Sequence, residues 1–198
     1  MLRRLASALL FATVLLDATL AAAAAHVRGQ VTAIAGDVAT VETTDGATVE
    51  LTLKPDFGLV VYRPITLADL HPDDYLSIPS TKAPDGRKRA ITIGVFPPNL
   101  HGVGEGESPW DRGPDSRMTN AALATLAAQG PDHTIVVRYK GTEETIEVPA
   151  GTPILAFAAD PDRKLAVGDK AFFFATGTGG KLVAGRAGVM ADGSMPPM

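Results

Sequence analysis

The pattern of apolar and polar positions changes character once, near residue 25. Residues 5–16 form a short apolar run behind Arg3 and Arg4, and residues 21–25 are a string of alanines. A positive start, an apolar stretch and small-x-small sites are what signal peptidase reads. Residues 1–25 are therefore expected to be a signal peptide cleaved near Ala25. The run is shorter than the ~20 apolar residues of a membrane span, and Asp17 interrupts it. No later stretch is more apolar, so no transmembrane segment is expected in the mature chain. After residue 25 the period becomes that of strands. Residues 29–35 alternate, Gly36-Asp37 marks a turn, residues 38–44 alternate again, and Asp45-Gly46 leads into residues 47–53. Asp-Gly between alternating segments predicts a hairpin, because the turn needs positive φ. A longer connection follows, with a helical turn expected over residues 66–70. Turns at Pro72-Asp73-Asp74 and Asp85-Gly86 then bound strands over 75–79 and 89–96.

The same order of elements returns 95 positions later. Residues 27–94 and 122–189 align without a gap, sharing Ala33/Ala128, Asp37/Asp132, Val41/Val136, Gly46/Gly141, Leu70/Leu165, Asp74/Asp169 and Thr81/Thr176. The second set of strands is expected at 122–128, 133–139, 145–148, 170–176 and 182–190, with turns at Lys140-Gly141, Gly168-Asp169 and Gly179-Gly180. Five short strands with the longest connection after the third is the element order of an OB-like barrel. The expected fold is therefore all-β: two tandem five-stranded OB-like barrels joined by a Gly/Pro-rich connector. The domains are 1–25 (signal peptide), 26–96 (first barrel), 97–120 (connector), 121–190 (second barrel) and 191–198 (a frayed C-terminal tail). One larger β-sandwich built from both halves is the alternative.

Composition narrows the function. The net charge is −4, and Arg87-Lys88-Arg89 is the one basic run. Nucleic acid is not an expected partner, because phosphate affinity comes from clustered Lys and Arg. The absence of Cys excludes disulfides, thiolate metal sites and Cys nucleophiles. Export without Cys suits a periplasmic or secreted protein.

The segments GQVTAIAGDVATVETTDGATVELTL, ADLHPDDYLSI and KRAITIGVF, with the connector GVGEGESPWDRGPDSRMTNA, resemble exported bacterial proteins of unknown function built from tandem OB-like β-barrel domains. The resemblance spans nearly all of the mature chain and rests on hairpin and turn patterns. It implies a periplasmic OB-like fold and supplies no catalytic residues.

Candidate chemistry is sparse. There is no G-x-S-x-G elbow, and the Gly177–Lys181 segment lacks the phosphate-loop spacing. Carboxylates fall in turns, where Asp serves the backbone. No catalytic residue is assigned and no enzyme activity is expected. The connector carries the only tryptophan, Trp110. It either pins the connector across the barrel interface or stacks on a ligand oriented by Glu105, Glu107 or Asp111. No two histidines have zinc-ligand spacing. Cleavage after Ala25 would make His26 the N-terminus, whose amine and imidazole chelate Cu(II); His101 and the thioether of Met118 would complete a copper site. Two functions remain. The first is a non-catalytic periplasmic binding or assembly module, without cofactor, that holds an envelope protein, peptide or glycan. The alternative is a copper-handling protein.

Overall fold

The computed structural model describes residues 23–129, 132–178 and 181–198. Most of the expected signal peptide, residues 1–22, lies outside the described residues. The chain is all-β. Strands β1 (Ala23–Ala35), β2 (Val38–Thr43) and β3 (Thr48–Ile65) come first, then a 3-10 turn (Leu67–Asp69), β4 (Tyr75–Lys82), β5 (Lys88–Ala90) and β6 (Ile93–Val95). A second 3-10 turn (Pro98–Leu100) precedes β7 (Gly106–Pro109), β8 (Ser116–Gln129), β9 (Asp132–Tyr139), β10 (Thr142–Val148) and β11 (Ile154–Ala159). Strands β12 (Lys170–Thr178) and β13 (Lys181–Met190) close the order. No helix among the described residues is long and apolar enough to cross a membrane.

Local chemistry accounts for most of these elements. The β9–β10 hairpin turns at Lys140-Gly141, both with positive φ, as a two-residue primed turn requires. The first 3-10 turn is fixed by Thr66 and Asp69 in a reciprocal capping box. In β1, Val27 and Val31 point into a core while His26, Arg28 and Gln30 point away from it. Strand β12 reads Ala171-Phe172-Phe173 without alternation, because it is buried on both faces. Phe173 packs in the same core as Val27, and Phe172 in a different cluster. Burying each phenylalanine contributes ~2–3 kcal/mol.

One five-strand barrel is closed. Its circuit runs β1-β2-β3-β13-β12 and back to β1, antiparallel throughout except for the parallel pair β3–β13. Its core holds Val31, Val41, Leu51, Phe173 and Val189. The remaining eight strands continue the sheet from β3 through β11 and β6. Among them β4, β5, β10, β9 and β8 pair in turn, and β8 pairs with β4, around Leu76, Ile78, Leu123, Ile135 and Ile146.

The pairing does not follow the expected division into residues 26–96 and 121–190. Strands β12 and β13, from the second half, complete the barrel begun by β1–β3. Strands β4 and β5, from the first half, pair with β8 and β10. The physical reason lies in β3, which runs on for 18 residues and pairs through its second half with β11. That crossing delivers the next strand beside β8. At its centre Tyr62 faces Phe157, with ring centroids 4.8 Å apart. Each ring lies over a glycine of a neighbouring strand, Tyr62 over Gly188 and Phe157 over Gly94, where a Cβ would run into the ring.

The connector 97–120 holds the second 3-10 turn, β7 and the start of β8. The expectation of a frayed tail at 191–198 needs correction. Met198 is buried with Tyr62, Met118 and Phe172, and its main-chain oxygen accepts hydrogen bonds from Arg28 Nε at 2.6 Å and from Arg112.

Candidate functional site

The third apolar cluster lies where the two sets of strands meet, and the candidate site is there. Tyr62 and Val60 reach it from β3, Phe172 and Phe174 from β12, Met118 from β8 and Phe157 from β11. Trp110, just beyond β7, closes one side. Its ring packs tilted against His26 at 4.3 Å and approaches Phe172 at 5.9 Å. The rings of Tyr62, Phe96, Trp110, Phe157 and Phe174 wall a cleft of about 200 Å³, with Met118 and Met198 also at its surface.

Two polar atoms in this apolar lining are sealed from solvent without a hydrogen-bond partner among the described residues: Trp110 Nε1, a donor, and Asn120 Oδ1, an acceptor. Leaving such a group unmatched costs about 1–3 kcal/mol. Both residues line the cleft, with these two atoms buried beneath its surface. Asn120 is held by its other amide atom, Nδ2, which donates to the Val103 carbonyl at 3.3 Å. The phenol of Tyr62 is pushed well above its ordinary value by burial, so it stays neutral in the cleft wall.

Behind Trp110 sits a charged cluster. Arg28 donates to both oxygens of Asp111 at 2.6 and 2.8 Å, and His26 Nδ1 lies 3.3 Å from the same carboxylate. Burial pushes Asp111 upward, but the hydrogen bonds and charge of Arg28, with His26, outweigh it and hold the carboxyl below its ordinary range. Burial lowers His26, and Asp111 restores only part of the loss. The Arg28 guanidinium also lies over the Phe172 ring at 4.6 Å.

A second hollow, about 580 Å³, is larger and polar. Lys88 pairs there with Glu107 and Glu144, Arg87 with Glu147, and Arg117 with Glu107 at 3.6 Å. Most of its charged side chains pair with one another, while Lys82 and Asp115 have no ion-pair partner among the described residues.

The residues singled out in the sequence therefore separate. Trp110 and Asp111 come together at the cleft and the cluster behind it. Glu105 instead accepts the backbone N–H of Lys140 at 2.8 Å, and Glu107 belongs to the polar hollow. Neither carboxylate joins Trp110. Of the metal candidates, His26 faces Trp110 and Asp111 from within β1, while His101 packs tilted against Tyr75 at 4.7 Å. Met118 lines the cleft, its sulfur accepting from the Ser77 hydroxyl at 3.1 Å. Among the described residues no three His, Cys, Asp or Glu side chains gather as metal ligands. Sequence reasoning missed Asn120, Tyr62, Phe96, Phe157 and Phe174. The doubly apolar run at residues 172–174 was the available signal that β12 faces a second apolar surface. No family model, no curated protein and no solved structure matches the chain.

Proposed function

We propose that this protein is a non-catalytic binding module of the bacterial cell envelope, exported by its first ~25 residues, and that the aromatic cleft is its binding site. The observation that carries this reading is the unmatched pair in the apolar lining, the Trp110 N–H and the Asn120 carbonyl. Apolar walls with a few placed polar groups are the ordinary composition of a small-molecule site. The volume of about 200 Å³ falls below the ~300–1,000 Å³ of sites that engulf a whole drug-sized ligand. The cleft therefore suits one apolar group and the polar atoms next to it, either the end of a larger molecule or a side chain of a peptide partner. A carbonyl beside an N–H, as in an amide, complements both unmatched atoms.

We infer that the architecture is a pair of OB-like barrels from a duplicated unit that exchange their last two strands. Support comes from the closed circuit, whose order 1-2-3-5-4 has its single parallel pair between the third and fifth strands, and from the repeat of that order in the β8-β9-β10-β5-β4 pairing. In this reading the cleft exists only because the two barrels meet.

Benzamide is the direct probe, with a ring for the walls and an amide for the polar pair. Titration followed by Trp110 emission is expected to saturate. Asn120→Leu is expected to weaken it about tenfold, the equivalent of one hydrogen bond. Absence of saturable binding, or equal binding by the variant, would remove the cleft as the site.

A further inference from the structure

The cleft has a charged neighbour. Phe174 and Arg186 line both the aromatic cleft and a more open pocket of about 400 Å³. The other side chains of that pocket include His26 and Lys54, and no carboxylate lines it among the described residues. In a chain of net charge −4, with acidic residues outnumbering basic ones, a pocket whose charged lining among the described residues is Lys54 and Arg186 is a local reversal of sign.

The cations there are uncommitted. Arg28, behind the cleft, is neutralised by Asp111, and in the polar hollow Lys88 pairs with Glu107 and Glu144 and Arg117 with Glu107. Lys54 and Arg186 have no ion-pair or hydrogen-bond partner among the described residues, although Lys54 packs its stem over Gly185 beside Arg186. Both project from adjoining strands of the closed barrel, β3 and β13, which pair in parallel and place Ala184 against Leu53 and Arg186 against Gly58. His26 projects from β1 on the same side, with its Nδ1 turned toward Asp111.

We propose that the ligand of the cleft is an amphiphilic organic anion. Its apolar group and amide-like polar atoms occupy the aromatic cleft, and a carboxylate or phosphate at its other end sits between Lys54 and Arg186. The inference rests on the cleft being the binding site. It adds the sign of the ligand's charge and the residues that read it. Arg186 forms the junction, being shared by both pockets. The two cations are exposed, so they set preference and salt dependence rather than most of the affinity.

Two probes of nearly the same size and shape isolate the charge. N-benzoylglycine carries the benzamide group and a carboxylate, and N-benzoylglycinamide carries a neutral amide in its place. By calorimetry at low salt, the acid is expected to bind about three- to tenfold more tightly than the amide, with the preference shrinking as salt rises. In a Lys54→Gln, Arg186→Gln variant the two should bind equally, at the affinity of the neutral compound. N-benzyl phosphoramidate in a parallel titration distinguishes a phosphate preference from a carboxylate one. If the wild type binds acid and amide equally, or the double variant retains the preference, the charge inference falls while the cleft stands. If neither compound binds, the cleft reading falls with it.

Discussion

Thr119 is fully buried in β8, and its hydroxyl has no partner among the described residues. It does not line the aromatic cleft, so no ligand compensates it. Thr119→Val keeps the shape and removes the unmatched group, and is expected to raise stability by about 1 kcal/mol in urea denaturation. His26 gives a pH dependence of definite sign. Burial lowers its folded pKa below the unfolded value of ~6.5, so between the two values the unfolded chain binds the extra proton. The stability associated with neutral His26 is full above pH ~6.5 and is lost as pH falls below it. Asp111, held below its ordinary value, loses its contribution only at lower pH. Melting temperatures at pH 7.5 and pH 5.5 should therefore differ more for the wild type than for His26→Phe. An unchanged difference would mean that His26 is not buried against Trp110. At this scale the sequence pointed to Trp110 because it is the lone tryptophan in a Gly-rich stretch. It gave no sign of Asn120, which became a candidate only when folding placed its carbonyl in an apolar lining.

Among the elements, strands and turns were legible and their partners were not. Alternation marked β1, β2, β9 and β10, and Gly with positive φ marked the hairpin tips, because these depend on neighbouring residues. The pairing of β12 and β13 with β1 and β3 was hidden for a physical reason. If both halves carry the same pattern, the fourth and fifth strands of either fit the first three of the other with the same inward and outward faces. What decides is the continuation of β3 through residues 60–65, where it pairs with β11, a stretch without clean alternation of its own. The crossing has its own test. An added methyl at Gly188 collides with the Tyr62 ring on β3, so Gly188→Ala is expected to cost about 1–3 kcal/mol. Because the contact includes the phenol oxygen, Tyr62→Phe should recover part of that loss in a double-mutant cycle. Strict additivity of the two changes would contradict the packing described.

For the molecule as a whole, the pairing sets how it comes apart. The closed barrel needs strands from both ends of the chain, and the second set of pairings needs strands from both halves. Native-state hydrogen exchange should therefore group β1–β3 with β12 and β13, and β4 with β8–β10. Grouping by sequence halves, 26–96 against 121–190, would contradict the pairing. The cleft belongs to this scale too, since its walls come from β3, β8, β11 and β12 and from Trp110. The most direct test of its role uses the side-chain N–H of that residue, a single resonance because the chain has one tryptophan. In a ¹H–¹⁵N spectrum of the full protein titrated with benzamide, the indole proton should move downfield as it gains a carbonyl acceptor, together with the Asn120 side-chain signals. An indole resonance that stays in place while signals elsewhere move would show that the ligand binds outside the cleft.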